Sequence, residues 1–174
     1  MSFAPLQVVA LAAIATLMLA ETVLSSRHER ALRARGAEEP PDDVIGIMRW
    51  SYPGAFIAMA LEGAWRGLPA DTLLTAGIVV FAMGKAIKYA AMAALGDRWS
   101  FRVLVLPGAP LVTRGPYRWV RHPNYVGVLG ELAGAALFFG AIVTGGLGLL
   151  GFAAILRRRV AVEERALSEA LARK

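Results

Sequence analysis

Cysteine is absent from the 174 residues, and histidine occurs only at His28 and His122. The first absence excludes disulfides, thiolate catalysis and cysteine-ligated metals. The second leaves too few ligands for a conventional zinc site, so no metal is expected. Internal repeats, low-complexity tracts and a composition shift that would mark a second domain are also missing, and residues 1–174 read as one unit. What the chain has in quantity is apolar sequence. Hydrophobic residues make up 57% of it, and the mean hydropathy is +0.53. That balance is the signature of an integral membrane protein.

Apolar runs predict a first helix over Phe3–Leu24, a second over Ile45–Trp65 and a third over Asp71–Leu95. The first lacks a basic leader, so a retained span is expected rather than a cleaved signal. The run from Tyr125 to Leu156 is too long for one ordinary span. It is expected to fold as a helical hairpin, helices four and five, turning at Gly145-Gly146. The fold class is therefore all-α, a polytopic membrane bundle of about five transmembrane helices. The acidic piece Glu38-Glu39-Pro40-Pro41-Asp42-Asp43 reads as a solvated loop after a helix ending near Gly36.

Sixteen of the nineteen lysines and arginines fall in three groups. Five (Arg27, Arg30, Arg33, Arg35 and Arg49) fall from the end of helix one to the start of helix two, five between the third and fourth, and six after the fifth. The connection between helices two and three has only Arg66, and Lys85 and Lys88 lie inside helix three. Such alternation places the N-terminus outside and the C-terminus in the cytoplasm, in what is expected to be a bacterial inner membrane. It also argues against nucleic acid as a partner, because the basic residues recur where topology requires them. Membrane lipids are the expected surroundings, and oligomeric state is left open.

Charges within spans need a reason. Lys85 and Lys88, one turn apart, either snorkel to the interface or line a polar cavity with the arginine-rich loop. Glu131 is placed to neutralise one of them. Lys88 and Glu131 are candidate substrate-side residues on this ground. Glu21 and Glu62 lie near helix ends, where pairing and function are equally open. Gly146-Leu147-Gly148-Leu149-Leu150-Gly151 has dinucleotide-loop spacing but no strand before it, so close helix contact or a bend is its meaning. Gly130 and Gly134 likewise read as a packing seam.

The segment Leu111 to Tyr125 concentrates arginine, aromatics, His122 and two prolines just before an apolar run. Gly115-Pro116 sets a turn, and Pro123 fits the first position of helix four, leaving His122 just outside it. The free N–H groups of that helix then suit a carboxylate or phosphate. Arg157-Arg158-Arg159 followed by Glu163-Glu164 emerges on the same face.

At these residues the chain resembles the isoprenylcysteine carboxyl methyltransferase family of integral-membrane S-adenosylmethionine enzymes. The resemblance rests on Leu95-Gly96-Asp97-Arg98-Trp99, on Leu111 through Tyr125, and on Glu163-Glu164-x-x-Leu167, and so spans roughly Leu95 to Leu167. Residues Glu29 to Glu62, with Arg35-Gly36-Ala37, are similar to a short bacterial branch associated with O-methylation of alkylpyrone-type lipids. The resemblance implies S-adenosylmethionine as cofactor. It implies Leu111, Val112, Tyr117, His122, Pro123, Asn124, Tyr125 and Glu163 as the cofactor shell, with Arg159 as the substrate-holding, catalytic arginine. Two departures stand out: the family's Gly-x-x-Tyr-type tail does not follow the glutamate pair, and spans are fewer than in eukaryotic members. The expected activity is O-methylation of a carboxylate or acidic hydroxyl on a lipophilic or prenylated acceptor. Phospholipid N-methylation and a non-catalytic membrane role remain the alternatives.

Overall fold

The computed structural model describes residues 3–41 and 44–172. Five helices run in chain order: α1 (Pro5–Ala34), α2 (Ile45–Arg66), α3 (Asp71–Leu95), α4 (Pro123–Phe139) and α5 (Ile142–Ala172). Among the described residues no strand forms, and the only β-type pairing is a bridge between Glu38 and Val105. Two segments, Pro5–Ala34 and Asp71–Arg98, are long and apolar enough by themselves to cross a membrane.

α2 and α3 match their expected bounds because breakers mark their ends. Gly67 and Gly96 follow the last helical residues with φ of +87° and +60°, a region that β-carbons disfavour. α1 does not stop at Leu24. Residues Ser25 to Ala34 contain no proline or glycine, and Ser25 donates to Glu29 one turn on at 2.6 Å, so the helix continues after its hydropathy falls. Hydropathy marks where an apolar layer ends, not where helical geometry fails.

The α4–α5 turn also differs from expectation. It falls at Gly140-Ala141, where Gly140 is left-handed (φ 63°, ψ 27°), and Gly145-Gly146 lies inside α5. A β-carbon at Gly145 would stand 2.5 Å from that of Ala136, so this glycine lets two helices approach rather than letting the chain reverse. Glu62 of α2 completes the turn from outside. Its carboxylate accepts from the N–H groups of Val143 (3.1 Å) and Thr144 (2.7 Å), capping α5 in trans.

α3 and α4 form the tightest seam. Gly77 and Gly84 on α3 face Gly134 and Gly127 on α4, each pair seven residues apart. A β-carbon on Gly84 would lie 2.7 Å from the backbone nitrogen of Glu131, and one on Gly127 2.7 Å from the Gly84 carbonyl oxygen. Gly130 and Gly134 belong to this seam, as their spacing indicated. The buried core is built on Phe56, Met59, Leu132, Phe139 and Phe152. Large apolar side chains also cover the outside, with Val9 65%, Trp50 77% and Leu150 75% exposed. An outer surface of that kind suits lipid rather than water.

The acidic segment is more than a solvated loop. Glu38 exchanges backbone hydrogen bonds with Val105 (2.9 and 3.0 Å), while Glu39 pairs with Arg33 and, at 2.5 Å, with Arg102. Burial opposes ionisation of Glu39, but the two arginines outweigh it and hold its carboxyl below the usual range. The α1 extension is thereby tied to the α3–α4 connection. Asp42 and Asp43, expected in the same loop, lie outside the described residues.

Candidate active site

One end of the bundle gathers the C-termini of α1, α3 and α5 with the N-termini of α2 and α4. There a cavity of about 890 Å³ opens and reaches inward between the helices.

Its mouth is organised around Tyr125. Pro123 is the first residue of α4, as expected, and His122 precedes it at φ −127°, ψ 63°, outside the helix but not in the extended conformation that a residue before proline usually takes. Tyr125 then lies in the first turn, facing α5. Its hydroxyl donates to Oε2 of Glu163 at 2.6 Å and accepts from Nε of Arg159 at 3.1 Å. The His122 ring stacks on the tyrosine, with centroids 5.6 Å apart and planes 13° apart. Its Nδ1 lies 3.6 Å from Glu163, and its Nε2 lies 3.3 Å from Glu164. Arg159 is only 3% exposed, and its second contact is the carbonyl of Phe101.

These contacts set the charge states. The Glu163 carboxylate beside the ring raises the His122 pKa above its ordinary 6.5, outweighing the effect of burial. Burial pushes Glu163 upward, but the hydrogen bond from Tyr125 and the neighbouring charges of His122 and Arg159 hold it below 4.5. Burial, then the charge of Glu163, pushes the Tyr117 phenol up and keeps it neutral. The mouth is an ordered cluster carrying one fixed carboxylate with open coordination.

The α3–α4 connection walls the cavity because it is laced to α1. The Phe101 N–H donates to Ser25 Oγ at 2.8 Å, and the Trp99 carbonyl lies 2.8 Å from His28 Nδ1. The Trp99 indole donates to Asn124 at 3.3 Å. Deeper in, four charges form a closed set. Lys85 contacts Glu21 at 2.6 Å and Glu131 at 2.9 Å; Lys88 contacts the same carboxylates at 2.6 and 3.4 Å. Tyr52 donates to Glu131 at 2.7 Å. The two lysines therefore pair inward and do not snorkel. At 1.5 Å per residue, this set lies about 9 Å along α4 from Tyr125.

Residues 76–169 match the isoprenylcysteine carboxyl methyltransferase (ICMT) family. The chain belongs to that family. The match runs from α3 through the glutamate pair on α5, and so takes in the whole mouth cluster and both lysines. The Bacillus subtilis protein YpbQ is 29% identical over 151 residues, 86% of this chain and 89% of its own length. A Haemophilus influenzae protein is 27% identical over 146 residues, covering 83% and 85% of the two chains. Both relatives are described as uncharacterized. No solved structure matches the chain significantly.

Of the family's expected cofactor shell, Leu111, Val112, Tyr117 and Asn124 line the cavity, as do His122, Tyr125 and Glu163. Pro123 does not line it; buried, it starts the helix that orients its neighbours. Arg159 and Lys88 also face the cavity, whereas Glu131, 1% exposed, stands behind Lys88. Sequence reasoning missed the α1 wall. Glu21, Ser25 and Glu29 recur every four residues and all line the cavity, a spacing that a search for polar stripes on apolar helices would have found. Tyr52 had no such signal, since a lone tyrosine in an apolar helix is ordinary core.

Proposed function

We propose that this protein transfers the methyl group of S-adenosylmethionine to an anionic oxygen, a carboxylate or acidic hydroxyl, of a lipophilic acceptor at the cytoplasmic face of a bacterial inner membrane. Five spans with the N-terminus outside put the mouth in the cytoplasm. In this reading the membrane part of α5 ends near Leu156, and its polar extension carries Arg159 and Glu163.

The observation that carries the reading is the Tyr125–Glu163–Arg159 cluster at the mouth of a cavity that also reaches into the bundle. The residues present fit the cofactor. The volume lies within the range of about 300–1,000 Å³ usual for small-molecule sites. Glu163, ionised and held from one side, can accept from an ammonium or ribose hydroxyls. No side chain caps α4, so its N-terminus suits a carboxylate. Leu111, Val112 and the neutral Tyr117 offer an apolar and aromatic wall. When bound, the cofactor supplies a methyl group on a positively charged sulfur.

The protein's part is positioning. An already ionised oxygen needs no strong base, and in-line displacement gains most from holding two reactants in register away from water. Arg159 keeps the Tyr125 hydroxyl and the Phe101 carbonyl in place, and through Tyr125 it orients Glu163. An amine acceptor would need a carboxylate free to take its proton. Glu131 is paired with both lysines and Tyr52, and Glu164 with Arg121 and His122. That engagement favours oxygen over nitrogen.

The test is to incubate membranes containing the protein with methyl-labelled S-adenosylmethionine and analyse the labelled lipids. Base-labile methyl esters or stable methyl ethers are the expected products. N-methyl label, or no lipid label above that of a Glu163→Gln membrane, removes the reading.

A further inference from the structure

Six lysines and arginines line the cavity, and five of them are engaged. Lys88 meets Glu21 and Glu131, Arg98 donates to the Pro110 carbonyl, Arg102 pairs with Glu39, Arg121 with Glu164, and Arg159 holds Tyr125 and Phe101. The sixth is Arg49 on α2. Among the described residues it has no ion pair and no hydrogen bond, and it is exposed. Its place on the cavity is fixed by helical spacing. Ile45, Arg49, Tyr52 and Pro53 stand at i, i+4, i+7 and i+8, and all four line the cavity. Tyr52, about 4.5 Å deeper along the axis, reaches the buried ion set. Arg49 therefore lies between that set and the cytoplasmic end. α2 also begins here without a side-chain cap, and Gly46 in its first turn borders the same space. The positive end of its dipole adds to the arginine's charge.

We propose that Arg49 holds the anionic oxygen of the methyl acceptor, so that the acceptor is an amphiphile that arrives ionised. This rests on the methyl-transfer reading of the cavity. Arg159 cannot take the role without releasing Tyr125 or Phe101, and Lys88 is already balanced by two carboxylates. A guanidinium with its fork open can hold two oxygens of a carboxylate, or one enolate oxygen, side-on. On transfer, a lone pair of the acceptor oxygen forms the new O–CH₃ bond as the C–S bond breaks, its electron pair staying on sulfur. The acceptor anion becomes a neutral ester or ether, and the sulfonium becomes a neutral thioether. No proton moves. Methylation removes the charge that Arg49 holds, so the product leaves for the bilayer in the step that makes it.

The experiment measures binding rather than turnover, with the full chain in discs of zwitterionic lipid at alkaline pH. The probes share one chain length: tetradecanoate, tetradecanol, tetradecylamine and tetradecyl phosphate. Wild type should bind the carboxylate at least about tenfold more tightly than the alcohol, as expected of a charge-assisted hydrogen bond, and should disfavour the amine. Arg49→Gln should erase that preference, Arg49→Lys should keep part of it, and Arg158→Gln, an exposed arginine off the cavity, should leave it intact. S-adenosylmethionine affinity should be unchanged in all three. An unaltered carboxylate preference in Arg49→Gln overturns the proposal. So does an Arg49-dependent preference for the phosphate alone, which would mark a lipid headgroup site. A fall in S-adenosylmethionine affinity in Arg49→Gln also overturns it, by assigning Arg49 to the cofactor. If wild type fails to bind S-adenosylmethionine at all, the methyl-transfer reading fails, and the Arg49-dependent anion preference is still read by the probes.

Discussion

The hydroxyl of Tyr125 sits between Glu163, 2.6 Å away, and Arg159, 3.1 Å away, two residues one turn apart on α5. A phenol in that position donates to a carboxylate and accepts from a guanidinium at once, fixing both ends of the glutamate's orientation. It also locks the first turn of α4 to the polar extension of α5, so the mouth and the bundle hold each other in register.

Removing either partner should therefore weaken cofactor binding before it weakens the fold. Tyr125→Phe and Glu163→Gln are each expected to lose on the order of 1.5–3 kcal/mol of S-adenosylmethionine affinity, the value of a charge-assisted hydrogen bond. Calorimetric titration in detergent, with circular dichroism confirming native helicity, checks this. Wild-type affinity in both variants would remove Tyr125 and Glu163 from the site.

The His122–Glu163 pair sets a pH dependence. His122 has a folded pKa above its unfolded 6.5, so its contribution is full below 6.5 and is lost as pH rises through the folded value. Glu163 has a folded pKa below 4.5, so its contribution is present above 4.5 and is lost as pH falls through the folded value. Together they stabilise most between those limits. The Tm gap between wild type and His122→Gln should be widest there and should narrow on the alkaline side. A gap that is flat with pH contradicts the pairing.

Arg159→Lys should lower turnover by tenfold or more, on the order expected when reactants lose their register, with a smaller effect on cofactor affinity. A lysine keeps the charge but cannot span the Tyr125 hydroxyl and the Phe101 carbonyl with one planar fork. Arg157→Lys, on the exposed side of the same helix, serves as the control. Equal, near-wild-type turnover in the two variants would show that Arg159 is only an anchor.

The glycines of the α3–α4 seam should tolerate nothing larger. Gly84→Ala forces a β-carbon against the backbone of Glu131 and should cost about 1–3 kcal/mol, the usual penalty of overpacking. Gly146→Ala meets no atom within 4 Å and should be neutral or slightly stabilising through helix propensity. Thermal unfolding in one detergent separates them; equal shifts would mean that the seam is looser than described.

Topology is open to direct measurement. Reporter fusions after Gly67 and after Lys174 should report opposite sides of the membrane, because an up-and-down bundle of five spans places the α2–α3 turn and the end of α5 on different faces. The same side for both would contradict the five-span reading.

Local sequence carried a good deal of this. The bounds of α2 and α3 were legible because apolar runs meet glycines at their ends, the start of α4 because proline fits a first helical turn, and the mouth residues because their motif is contiguous. The helical end near Gly36 was legible, but not that α1 runs unbroken past Leu24 to reach it, since a helix leaving an apolar layer keeps its hydrogen bonds while its hydropathy falls. Nor was the α4–α5 turn: Gly140 and Gly145 look alike in sequence, and only the approach of Ala136 to one and the left-handed backbone of the other tell them apart. The charged residues were least legible. Lys85, Lys88, Glu21 and Glu131 come from three helices, and whether they point to lipid, water or one another depends on helix rotation, which the glycine seam decides. The same packing commits Arg159 to Tyr125 and Phe101 and leaves Arg49 open. Sequence supplied the charges; which of them stayed free for a ligand was decided by the partners that tertiary contact brought within hydrogen-bonding distance.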